Sequence, residues 1–212
     1  MARGGRGRTP TPRGGPDTVV AAIAFSLAAH GSQLRKDRRT PYIVHPVAVL
    51  RILSTELGVT DPAILAAGVL HDVLEDTPRT SGALRRRFGP LVTSLVVELT
   101  LPPALHGPEV PDSLKTRALV RAIRTMSWPA VLVKLADRTD NLRDSSNAGW
   151  SAGKRRAFRE QSRRLLRALV LRGRADPPPA GLARTLAAAE RLVVAHLDRA
   201  TRSRRSRKSS RG

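Results

Sequence analysis

Apolar residues recur along this chain at helical spacing, in segments divided by Gly, Pro and clusters of charge. Asp17–His30 (DTVVAAIAFSLAAH) opens on an acidic cap-type residue and continues as an apolar helix. The polar, basic stretch GSQLRKDRRT follows as a loop. Pro46 then suits the first turn of a helix over about Val47–Leu57, which Gly58 ends. Asp61-Pro62, an N-cap followed by proline, starts a strongly apolar helix through Ala63–Leu74 that carries HDVLED at its C-terminal end. Shorter helices are predicted over Thr80–Phe88 and Pro90–Leu99, divided by Gly89. Residues 101–111 hold four prolines and a glycine and read as a loop. Helices follow over Asp112–Met126 and Pro129–Arg143, then a loop over Asp144–Gly149 and a long basic amphipathic helix over Ser151–Leu171. Asp176–Pro179 forms a stiff break before a last helix over about Gly181–Ala200. No strand pair or internal repeat is evident, so the pattern predicts an all-α bundle of roughly eight or nine helices. It divides the chain into a basic tail (1–16), a helical domain (17–175), a Pro-rich break with a C-terminal helix (176–200) and a second basic tail (201–212).

Composition agrees with helix packed on helix. Apolar residues make up 41%, mostly Ala, Leu and Val, with only three Phe, two Trp and one Tyr, whereas strands favour β-branched and aromatic residues. At 212 residues the chain suits one ordinary domain. No run approaches the roughly 18 consecutive apolar residues of a membrane span. The opening MARGGRGRTPTPRGG lacks the apolar core of a secretory signal, so no membrane partner and a cytoplasmic location are expected. The absence of cysteine excludes disulfides and thiolate ligands, leaving His and carboxylates to hold any metal.

The net charge of +21 is unevenly placed: residues 1–16 carry four Arg and residues 199–212 carry six Arg and one Lys, with no acid in either. These Gly/Ser/Arg-rich ends read as disordered, suited to nonspecific binding of RNA or acidic partners, or simply to solubility. They lack interleaved aromatics for stacking on bases.

Four features carry candidate chemistry. His45 stands between an extended segment and a helix start. His71 and Asp72 are adjacent in an apolar helix, with Glu75 and Asp76 four residues further on, so that Glu75 shares the face of His71 and Asp76 that of Asp72. Asp137 lies in VLVKLADRTDNL, where it either joins such a site or pairs with Lys134 or Arg138. One histidine and three carboxylates within six residues of an apolar helix are costly to bury unless something compensates, and a divalent cation compensates for several at once. Two imidazoles with two carboxylates suit Mn²⁺, Fe²⁺, Co²⁺ or Zn²⁺ better than Mg²⁺ or Ca²⁺. Glu75 and Asp76 then remain free to orient and deprotonate water, the layout for hydrolysis of a phosphate ester.

The order His45…His71-Asp72…Asp137 resembles the HD superfamily of metal-dependent phosphohydrolases. AHGSQLRKDRRTPYIVHP, AGVLHDVLEDT, FGPLVTSLVVELT and VLVKLADRTDNLRD are similar, in order and spacing, to the hydrolase domain of RelA/SpoT-homologue proteins, nearest to the stand-alone small alarmone hydrolases, over about residues 17–170. The resemblance implies an all-α HD domain that removes pyrophosphate from the 3′ position of (p)ppGpp, usually with Mn²⁺. It implies metal ligands at His45, His71, Asp72 and Asp137, and a water-activating pair at Glu75 and Asp76. It also implies substrate contacts from Arg35 and Lys36 beside the guanine and phosphates, and from Asn141.

GWSAGKRRAF departs from the family pattern. Lys154 stands where an Arg helps bind the 5′ phosphates, and Phe158 where a Tyr lies by the ribose. Lysine keeps the charge without the bidentate fork, and phenylalanine keeps a stacking face without the hydroxyl. After Thr100, LPPALHGPEVP stands where the family places a phosphate-binding lysine, and Lys115 or Arg117 is the available substitute. Other nucleotides, such as (p)ppApp or NADPH, are therefore alternative substrates. An RNA-associated protein acting through its basic tails is the alternative of another class.

Overall fold

The computed structural model describes residues 16–107, 109–145 and 150–209, with side chains through 198. Of the tails expected to be disordered (1–16 and 201–212), residues 1–15 and 210–212 and the side chains of 199–209 lie outside the described residues, as does most of the loop expected at 144–149, whereas the backbone of 16 and 201–209 is helical.

Nine helical segments make up the described chain: α1 (Pro16–His30), α2 (Val44–Arg51), α3 (Pro62–Leu70), α4 (Val73–Asp76), α5 (Ser81–Leu99), α6 (Asp112–Ala122), α7 (Trp128–Asp144), α8 (Ala152–Ala175) and α9 (Ala180–Ser209). The fold is all-α; among the described residues the only pairing of extended backbone is an isolated bridge between Leu34 and Pro41. The starts follow local chemistry. Asp61 caps α3 by accepting from the Ala63 and Ile64 amides, Thr80 caps α5, Ser127 caps α7 and Ser151 caps α8. α9 runs on to Ser209, past the end expected near Ala200.

α3 and α7 are the axis of the bundle. α1, α2 and α5 pack on α3, while α2, α5 and α9 pack on α7. Ala66, Ala67, Val69 and Leu70 of α3 and Val131 to Val133, Leu135 and Ala136 of α7 are buried. α3 lies so close at Gly68 to the turn that follows α2 that a Cβ there would stand 2.5 Å from the Leu53 side chain. α6 packs on α8, flanking the cleft described below. One helical stretch, Ser81–Leu105, is long and apolar enough to cross a membrane by length and composition. Here its Val92, Leu95, Val96 and Leu99 belong to the core, and Gly89 (φ 81°, ψ 178°) breaks it where the sequence predicts two helices.

Other boundaries also differ from the pattern, α8 running to Ala175 rather than Leu171. α2 begins at Val44 rather than Val47, because Pro41, Tyr42 and Ile43 supply carbonyls to the amides of Val44, His45 and Val47. Pro46 thus falls within the first turn, where a missing N–H costs nothing, and a π-helical turn (Ile52–Glu56) completes the segment. α6 stops at Ala122 instead of Met126. The helix expected through Leu74 ends at Leu70: His71 Nδ1–H donates to the Gly68 carbonyl (2.8 Å), the acceptor a continuous helix gives to the Asp72 amide. Asp72 takes φ −97°, ψ −5°, and α4 starts on a new line.

Candidate active site

His45 from α2, His71 and Asp72 from the α3–α4 turn, and Asp137 from α7 converge on one point. His45, His71 and Asp72 each offer a donor atom within 4.8 Å of the others. Asp137 Oδ1 stands 3.3 Å from His45 Nε2 and 3.8 Å from His71 Nε2. Asp72 Oδ2 stands 3.5 Å and 3.0 Å from the same two atoms. Both histidines are buried, His71 at 1% exposure and His45 at 2%.

The donor set fits a divalent cation. His71 Nδ1 is taken by the Gly68 carbonyl, which turns Nε2 toward the carboxylates, and Nε2 is buried without any hydrogen bond despite Asp72 at 3.0 Å. Two imidazole nitrogens and two carboxylate oxygens face one another at 3.0–3.8 Å, and each can give an electron pair to a shared cation. The electrostatics agree. Burial lowers the His45 pKa, but hydrogen bonds with Asp137 and Asp140 and the charge of Asp72 outweigh it and push it up to about 9. Burial raises Asp137, yet Lys134 and His45 hold its carboxyl well below the ordinary range. Asp72 is likewise held low by His71 and His45 against its burial.

Glu75 and Asp76 stand beside the cluster on α4. Burial, and for Asp76 the Asp72 charge, pushes both carboxyls above their usual values. Leu101 N–H donates to Glu75 Oε2 (3.2 Å). The Tyr42 hydroxyl lies 2.6 Å from Asp72 Oδ2 and 2.8 Å from Asp76 Oδ2, linking a candidate ligand to a candidate base.

These residues floor a cleft of about 770 Å³. Every sequence-derived site residue lines it except His71, which lies beneath. Its walls are cationic: Lys36, Lys115, Lys134, Arg138 and Lys154 all reach it, whereas Arg117 does not. Lys36 Nζ lies 4.4 Å and Lys154 Nζ 5.2 Å from the centroid of the Trp150 ring. Burial, then the Lys154 and Arg35 charges, lowers the Lys36 pKa. Phe158 meets Trp150 edge-on at 5.2 Å and carries the Arg138 guanidinium on its face at 4.3 Å.

Two side chains implied as substrate contacts also have partners within the protein. Arg35 turns its guanidinium to Asp144 (2.5 Å), with Asp140 at 3.8 Å, instead of leaving it free for a base. Asn141 donates to the Asp137 carboxylate and backbone carbonyl, steadying that side chain. Lys134 pairs with Asp137 Oδ2 (3.2 Å) while Oδ1 faces the histidines, so the two readings of Asp137 hold together. Tyr42, Asp140 and Trp150 are not singled out by the sequence. Tyr42 precedes His45 by three residues and Asp140 follows Asp137 by three, and that one-turn spacing from a candidate ligand was the available signal.

A family model for the HD domain matches residues 22–170. The guanosine-3′,5′-bis(diphosphate) 3′-pyrophosphohydrolase of Xenopus tropicalis is 40% identical over 137 residues, which is 63% of this chain and 74% of that protein. The enzyme of the same name from Homo sapiens is 37% identical over 155 residues, 71% of this chain and 84% of that one. A solved structure, described as a metazoan ortholog of SpoT that hydrolyzes ppGpp, aligns with a TM-score of 0.66 at 31% identity, covering 82% of this chain and 94% of that one. The family match takes in every helix that lends a residue to the cluster, and the chain belongs to the HD-domain family.

Proposed function

We propose that the chain is a divalent-cation-dependent 3′-pyrophosphohydrolase of guanosine 3′,5′-bis(diphosphate) and its triphosphate analogue, with Mn²⁺ as the cation. One observation carries this reading: a histidine–carboxylate cluster and six cationic side chains share a single cleft. A polyanion can lay one phosphate group on the cluster while its others meet lysine. The activity for which relatives largely covered by the chain are named supports the same substrate.

His45, His71, Asp72 and Asp137 would hold the cation, which supplies neutralisation of phosphoryl charge and acidification of water. Glu75 and Asp76, carboxyls whose affinity for a proton is raised by partial desolvation, accept the proton of the attacking water. The water oxygen bonds to the phosphorus next to the ribose 3′ oxygen and the bond between them breaks. Pyrophosphate departs, and the 3′ oxygen takes up a proton. Lys36 and Lys154 hold the distal phosphates, and Trp150 and Phe158 present apolar faces to the nucleoside. Arg35 acts by tying the 31–43 segment to α7 through Asp144.

Purified protein given ppGpp and Mn²⁺ should release GDP and pyrophosphate in equal amounts, resolved by ion-exchange chromatography. Folded, cation-loaded protein that leaves ppGpp intact would refute the proposal. Phe158, which offers no hydroxyl and is covered by Arg138, favours a second reading in which (p)ppApp or NADPH is preferred. A nucleotide panel decides: a kcat/KM more than tenfold higher for either would displace ppGpp.

A further inference from the structure

His45 is gripped at both ring nitrogens by one helix. Asp137 Oδ1 approaches Nε2 at 3.3 Å, and Asp140 Oδ2, one turn further along α7, approaches Nδ1 at 2.7 Å. The Asp140 contact lies on the far side of the ring from the large cleft. There a separate cavity of about 230 Å³ is lined by Asp140, Arg35 and Asp144. The charges facing Asp140 are His45 itself, Arg143 of its own helix, and Arg35, whose guanidinium stands 3.8 Å from the same carboxylate oxygen while bonding Asp144 at 2.5 Å.

We infer that Asp140 is a positioning residue: it fixes the His45 ring with the Nε2 lone pair aimed at the cation position between Asp72 and Asp137. A carboxylate offers acceptors only, so the hydrogen between the two groups belongs to Nδ1 of the imidazole. With that hydrogen placed, Nε2 is the nitrogen left to bind a cation, and the ring cannot turn about its Cβ–Cγ bond without breaking a 2.7 Å contact. Carboxylates in this relation to a ligating histidine orient it and raise its basicity. Arg35 stands behind the carboxylate and, through its bond to Asp144, ties the segment before α2 to α7. The role of Asp140 rests on the metal-dependent reading above.

Calorimetric titration of metal-free protein with Mn²⁺, comparing wild type, Asp140→Asn and Asp140→Ala, tests it. Both variants should bind Mn²⁺ roughly 10- to 100-fold more weakly, with metal-free melting temperatures close to wild type. In Zn²⁺-loaded wild type, NMR should show a His45 Nδ1–H proton protected from exchange, and Asp140→Ala should lose it. Variants that bind Mn²⁺ as tightly as wild type overturn the assignment. So does a lowered melting temperature with unchanged affinity, or a protected Nδ1–H in Asp140→Ala. Wild type that takes up no Mn²⁺ brings down the metal reading itself, whereas equal binding by all three proteins brings down the role of Asp140 alone.

Discussion

Lys36 lies with its ammonium 4.4 Å from the centroid of the Trp150 ring, joining the segment before α2 to the residue that leads into α8. Lys154 approaches the same ring at 5.2 Å. Two cations near one aromatic repel each other, and an anion entering between them relieves the repulsion. Substituting Lys36→Met should therefore weaken substrate binding more than chemistry. A charged hydrogen bond to phosphate contributes about 1.5–3 kcal/mol, so KM for ppGpp should rise roughly tenfold or more with kcat within a factor of a few. Steady-state kinetics reads both; an unchanged KM would remove Lys36 from the substrate site.

Much of this site is legible in the sequence because its chemistry conflicts with its surroundings. HDVLED sets a histidine and three carboxylates into an apolar helix, and Asp137 follows eight residues that are nearly all apolar or small. Those conflicts mark the cluster before any coordinates exist. The break at His71 is not legible, since it arises when a side chain claims the Gly68 carbonyl, a competition that periodicity does not encode. The ion pair of Arg35 is hidden for a similar reason: as a basic loop residue it looks available to a nucleotide, and its partner Asp144 is 109 positions away. Asp140 reads as an ordinary polar residue on α7 and acquires meaning only when α2 is laid across it.

The Tyr42 hydroxyl has one hydrogen and two carboxylate neighbours, Asp72 and Asp76. It holds apart two groups that otherwise repel, one facing the cation position and the other beside it. Tyr42→Phe preserves the stacking on His30 at 4.4 Å while removing that hydrogen bond. Leaving a buried charged acceptor unsatisfied costs about 1–3 kcal/mol, which as a barrier corresponds to a fall of roughly 5- to 150-fold in kcat. Rates measured at saturating ppGpp check this, with circular dichroism as the control for folding. A variant as fast as wild type would show that the hydroxyl plays no part in arranging the two acids.

Cation binding should appear as stability. A ligand that binds only the folded state at 100 times its Kd adds about 2.7 kcal/mol, and for a chain of this size each kcal/mol raises Tm by roughly 2–4 °C. Mn²⁺ at that excess should thus raise Tm by about 5–10 °C, and a chelator should reverse it. His71→Ala should abolish the increase, because it deletes the buried Nε2 that lacks any hydrogen bond in the metal-free protein. Differential scanning calorimetry reads each case, and an equal Mn²⁺-induced rise in His71→Ala would exclude His71 as a ligand.

The segment that carries Lys36 has its own pH dependence, set by Asp37. The Thr40 hydroxyl donates to one carboxylate oxygen at 2.6 Å, and the Arg39 and Thr40 amides donate to the other at 2.9 Å each. These bonds, the Thr40 hydroxyl foremost, lower the Asp37 pKa from 3.8 to about 2. A depressed carboxyl pKa stabilises the turn fully above the unfolded value and progressively less as pH falls through the folded one. The turn should therefore be intact at neutral pH and down to 3.8, then loosen between there and about 2. Amide exchange at Arg39 and Thr40 and the side-chain carboxyl ¹³C shift of Asp37 follow this directly. Asp37→Asn should speed that exchange at neutral pH, since the amide accepts more weakly and at only one oxygen. A carboxyl midpoint at or above 3.8 would show that the three bonds do not persist in solution, and with them would go the anchoring of the turn next to Lys36.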